Sequence, residues 1–161
     1  MKKGQMDQPY VYIFALVVAA LVIFLGYYMI NSLLNLGKQV ETKKFENDLR
    51  TEVKSIYDFT PGTNSHYKSS VPSGIKGVCF VNVINADVDS IIYDDAKELV
   101  SVLKSGGTDK NLFYSVSGRF KLPDPIKIDK LKVKNDVLCK STSRGILEID
   151  LENIGNYVEV S

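Results

Sequence analysis

The chain has 161 residues, with 20 Lys+Arg against 19 Asp+Glu, two cysteines and one histidine. A charge this close to zero removes the bulk electrostatic case for a nucleic-acid partner, and Cys79, Cys139 and His66 are too few for a four-ligand zinc site. With about 30 residues spent on one apolar segment and its flanks, ~130 remain, enough for a single domain with its own core.

Residues 1–9 form a short basic region, "MKKGQMDQP", that leads into the apolar segment. From Tyr10 to Ile30 there are 21 residues without a charge, and none follows until Lys38. As a helix those 21 residues measure roughly 31 Å, the hydrocarbon thickness of a bilayer. A cleaved secretory signal has an apolar region of only about 7–15 residues and a small-x-small site after it; "NSLLNLGKQVE" offers no such site. A single transmembrane helix over 10–36 is therefore expected. Tyr10, Tyr12, Tyr27 and Tyr28 lie near its two ends, where amphipathic rings favour the headgroup layer. Pro9 suits the first turn and Asp7 the capping position before it. Lys38, Lys43, Lys44, Arg50 and Lys54 outnumber Lys2 and Lys3 across the span, which by simple count places the C-terminal part in the cytoplasm. Glu41, Glu46, Asp48 and Glu52 balance those charges, however, and long domains cross largely regardless of charge.

Residues 37–58 read as a helical extension. Leu36, Val40, Phe45, Leu49, Val53, Ile56 and Tyr57 form one narrow apolar stripe, and charges fill the other faces, Glu46 and Arg50 pairing at i,i+4. "TPGTNS" at 60–65 ends it. The stripe must bury against the chain's own C-terminal domain or against neighbouring copies.

Residues 59–161 read as a small α+β domain, mainly antiparallel, with one short helix. "GVCFVNVI" (77–84) suits a buried strand. In "DDAKELVSVLKSGG", Ala96, Leu99, Val100 and Leu103 mark a helix face, Asp95 with Glu98 resembles a capping box, and Gly106 and Gly107 are stop signals. Further strands are read at 111–118, 126–134 and 146–154, with "YVEV" as a last one. Lys127, Lys130, Lys132 and Lys134 decorate the segment 126–134 in a basic run; Glu148, Asp150 and Glu152 alternate with Leu147, Ile149 and Leu151 in the acidic segment 146–154. Side by side, they would form cross-strand charge pairs.

Cys79 and Cys139 fit either two buried thiols or a disulfide. A bond between them would close a loop of about 60 residues, contribute roughly 4 kcal/mol in the chain-entropy model and require an oxidising compartment. "NADVD" has the first spacings of a calcium loop, but Ser90 and Ala96 stand where that motif needs glycine and glutamate, so turn residues are expected. His66 lies in "TNSHYKSS", read as a polar loop. Phosphate-cradling glycine motifs do not occur. The chain is expected not to be an enzyme, with no cofactor, no metal and no nucleic-acid partner.

A basic pair, a glycine, a glutamine, a spanning helix, an amphipathic extension and a β-rich head follow one another. This layout, with Lys2, Lys3, Gly4 and Gln5 as its motif, resembles archaeal type IV pilin-like proteins. The resemblance implies cleavage between Gly4 and Gln5 by a prepilin-type peptidase, a head outside the cell membrane, and packing with copies or other pilin-like subunits through residues 10–57. Asp7 and Pro9 depart from the pattern, since pilins usually turn apolar almost at once. The alternative is a single-pass, membrane-tethered receptor or adaptor that is neither cleaved nor assembled.

Overall fold

The computed structural model describes residues 8–117 and 121–161. Helix α1 spans Gln8–Tyr57, 50 residues, and the chain divides after Lys38 into two units. Among the described residues, the first is helix alone. Its large apolar side chains from Tyr10 to Leu34 are all exposed, from 40% at Val18 to 73% at Tyr10 and Tyr12.

The second unit carries the rest of α1 and the β-rich head. Strands β1 (Asn64–Ser70), β6 (Ile146–Asn153), β7 (Val158–Val160) and β4 (Leu131–Val133) form one sheet in the order β1-β6-β7-β4. Its pairs are antiparallel except β4 with β7, which run parallel. Strands β3 (Leu112–Val116), β2 (Ile75–Val81) and β5 (Val137–Ser141) form a second, antiparallel sheet in the order β3-β2-β5. Helix α2 (Asp94–Ser105) is the one short helix. The head is thus α+β and mainly antiparallel.

Two clusters make the core. The larger joins Phe45, Leu49, Val53 and Ile56 of α1 to inward residues of both sheets, among them Ile149, Leu151, Val78 and Phe80. Burying those four helix residues contributes about 6–12 kcal/mol as an upper estimate. The smaller cluster puts Ala96 and Val100 of α2 against Cys79, Val81 and Phe113, on the opposite face of the second sheet. Covered on both sides, β2 is apolar in both registers from Gly77 to Val81 and reads there as a continuous run; β6, exposed on one face, alternates strictly.

The structure corrects several local expectations. The stretch 126–134 is not one strand: a turn at Asp129 and Lys130, the latter at φ 63°, leaves only Leu131–Val133 in the sheet. The basic and acidic segments are not neighbours either, because β7 lies between β4 and β6. The acidic strand instead pairs with β1, which contains the segment around His66 read as a loop: Lys68 Nζ meets Glu148 at 2.6 Å and His66 Nδ1 meets Asp150 at 2.7 Å. Asp95 does not cap α2. The cap position is Tyr93, and the Asp95 carboxylate accepts from the Val116 N–H and the Ser115 hydroxyl, tying the helix to β3. Gly106 and Gly107 do end α2, Gly107 at φ 64°. Of the apolar stripe, Phe45 to Ile56 is buried in the head and Tyr57 is packed against it; Leu36 and Val40 are 57% and 61% exposed.

Candidate functional site

The feature with the clearest physical consequence is the apolar half of α1. Between Tyr10 and Leu34 it presents apolar side chains in every direction, and it is long and apolar enough to cross a membrane. A helix satisfies its own backbone hydrogen bonds, so such a segment is stable in hydrocarbon and costly in water.

The candidate processing residues Lys2, Lys3, Gly4 and Gln5, with Asp7, lie outside the described residues. Cys79 and Cys139 are directly opposite each other in β2 and β5 and are joined by a disulfide. Cys79 is fully buried, packed with Val81 and Phe113 under α2. The bond fastens β5, an edge strand paired with β2 alone among the described residues, to the centre of its sheet.

Two polar anchors were not legible in the sequence. Glu46, expected on the surface beside Arg50, is 4% exposed; it takes a hydrogen bond from the Tyr114 hydroxyl at 3.1 Å and pairs with Lys43 at 2.7 Å. Burial, and then the Glu46 carboxylate, push the Tyr114 hydroxyl far above the usual tyrosine range, so it stays a donor. At the other end, Asn153 is 1% exposed. Its amide Nδ2 donates to the carbonyls of Ile56, Tyr57 and Phe59 at 2.9, 3.1 and 2.8 Å, and its Oδ1 accepts from the Gly155 N–H. The last carbonyls of a helix have no partner within it, and β6 supplies one through this side chain. Only the burial of an asparagine at a strand end, where β6 keeps its alternation, hints at it.

The lysines read as a basic run are dispersed. Lys127 holds Asp109 at 2.8 Å, Lys134 meets Glu159 at 3.7 Å, and Lys130 and Lys132 lie over the rings of Tyr57 and Tyr157. Around "NADVD", Asp87 accepts from the Asp89 N–H and Asp89 pairs with Lys97, the roles of turn residues. Among the described residues, no group of three or more His, Cys, Asp or Glu is placed to hold a metal ion.

Comparison with protein-family models, curated proteins and solved structures finds no match.

Proposed function

We propose that the chain is a non-enzymatic, membrane-anchored envelope subunit of the archaeal pilin-like kind, spanning once, with its head outside the cytoplasm. The observation that carries this reading is the contrast along α1. Up to Leu34 the helix is exposed and apolar on all sides, while from Phe45 to Ile56 it is built into a folded head. A helix apolar all round moves from lipid into a bundle of sister helices with little change in its surroundings. Leu36 and Val40, both exposed, extend that contact surface. The disulfide supports an exterior head, because such bonds persist on the oxidising side of a membrane. The Lys2-Lys3-Gly4-Gln5 start supports processing before Gln5.

Thiol trapping in living cells tests the side of the membrane. Cells are quenched in acid to stop thiol exchange, the membrane fraction is denatured and alkylated with N-ethylmaleimide with and without prior reduction, so that buried Cys79 is reachable in either case, and the mass of the protein is measured. No adduct before reduction and two after it is the expected result. Two adducts without reduction would place the head in the cytoplasm and favour the adaptor reading instead.

A further inference from the structure

Between β2 and β5 the Asn82 N–H donates to the Asp136 carbonyl at 2.8 Å and the Thr142 N–H to the Lys76 carbonyl at 2.9 Å. With Cys79 opposite Cys139, these two bonds place the hydrogen-bonded pairs at Lys76–Thr142, Val78–Lys140, Phe80–Leu138 and Asn82–Asp136. The cysteines therefore occupy a non-hydrogen-bonded pair, and their Cα separation of 4.0 Å agrees with it. Cys139 and Ser141 turn their N–H and C=O away from β2, and none of these groups has a hydrogen-bond partner among the described residues. Such groups are stable only where water or an added strand can reach them. The disulfide lies at the middle of this open edge, and its two halves differ. Cys79 is 0% exposed beneath α2, while Cys139 is half-buried. Of the two, Cys139 is the one that a second thiol can meet from solvent.

We propose that β5 is the docking strand for a thiol–disulfide oxidoreductase, which lays a short extended segment along the open edge at Cys139 and Ser141 and exchanges the bond through the Cys139 sulfur. Added strands bind through backbone hydrogen bonds, and here the same edge carries the reacting group. In the reducing direction the partner's thiolate attacks Cys139 Sγ. The bond to Cys79 breaks, and Cys79 leaves as a thiolate that takes up a proton. The partner's second thiol gives up its proton, attacks the partner's own sulfur in the mixed disulfide and releases Cys139 as a thiol. Two electrons pass from the partner's dithiol to the disulfide. Run backwards with an oxidised partner, the same steps install the bond, Cys139 entering first and Cys79 closing it. The assignment rests on the bond and its edge alone, so it stands or falls separately from cleavage and assembly of the chain.

The test uses the full chain in lipid nanodiscs and, as probe, a thioredoxin whose resolving cysteine is replaced by serine, so that the mixed disulfide is trapped. Acid quenching, alkylation with N-ethylmaleimide and peptide mass mapping are expected to find the probe on Cys139 and the alkyl group on Cys79. A probe on Cys79, or no mixed disulfide with the folded chain, would overturn the proposal. Rates test the edge. Ser141→Pro removes one outward N–H while leaving the ladder to β2 intact, and proline is tolerated at a sheet edge. The rate of reduction by intact thioredoxin, divided by the rate with dithiothreitol, is expected to fall about fivefold, the scale of one lost backbone hydrogen bond. Ser141→Ala keeps that N–H and should match the parent. Dividing by the small dithiol's rate removes any loosening of β5 that the proline causes. An unchanged ratio in Ser141→Pro would overturn the docking, since the bond would then be reduced without use of the edge.

Discussion

At the scale of single residues, three buried polar side chains have opposite roles. The Asn153 amide donates to three carbonyls at and just beyond the end of α1, those of Ile56, Tyr57 and Phe59, of which the Ile56 carbonyl also accepts from the Phe59 N–H. Asn153→Ala is expected to destabilise the head by about 2–4 kcal/mol. Asn153→Asp should cost more, since it turns a donor into an acceptor facing carbonyls. Thermal unfolding followed by near-UV circular dichroism would order the three proteins. Tyr114 and Tyr67 make a second comparison. The Tyr114 hydroxyl donates to buried Glu46, so Tyr114→Phe leaves a carboxylate short of a partner and should cost about 1–3 kcal/mol. The Tyr67 hydroxyl is buried with no partner at good hydrogen-bond geometry among the described residues, Ser69 being its nearest polar influence, so Tyr67→Phe should cost little or nothing in the same assay. Equal losses at the two tyrosines would contradict this account.

Among the elements, what was legible followed from how completely each satisfies one simple pattern. β6 alternates, β2 is apolar from Gly77 to Val81 and α2 has an i, i+3, i+4, i+7 face, so each could be read directly. β1 could not: its inward positions are Ser65, Tyr67 and Ser69, and only the tyrosine is apolar. The strand is held by its partner β6 and by the Ser65 hydroxyl donating to Glu52 of α1. β4 has only three residues, and a left-handed Lys130 at its start breaks what reads as a longer run. A cleft of about 370 Å³ beside β2, β4 and β7 is assembled from residues near 80, 110, 132 and 160, and no local motif links them. Two predictions belong at this scale. Reducing the disulfide, which closes a separation of 60 residues, should lower the head's stability by about 4 kcal/mol in the chain-entropy model, with β5 losing amide-exchange protection before β6. Gly77 lies under the Tyr93 ring, and a Cβ there would run into it. Gly77→Ala should therefore cost about 1–3 kcal/mol, and a Tyr93→Ala partner substitution should recover part of that loss in a double-mutant cycle.

For the whole molecule, surface ion pairs set a pH window. Lys97, Lys127 and Lys68 hold the carboxyls of Asp89, Asp109 and Glu148 below their ordinary range. Native carboxylates of this kind resist protonation more than unfolded ones. Their contribution is present above the ordinary carboxylate range and is lost as pH falls through the lowered values. Lys97 and Lys127 are raised by the same pairs, so their share is present below the ordinary lysine value and is lost as pH rises through the raised ones. The thermal midpoint should be flat between roughly pH 5 and 10 and fall on both sides. High salt should flatten the acid limb, because all three pairs are exposed. An acid limb unchanged on replacing Lys68, Lys97 and Lys127 together by methionine would show that other groups set it.

The central claim, a processed and outward-facing pilin-like subunit, is tested most directly by the intact mass of the protein taken from membranes of its native host. The account predicts loss of residues 1–4, leaving Gln5 at the front. A membrane-bound chain that keeps Lys2, Lys3 and Gly4 would contradict it and leave a simple anchor bearing a folded head.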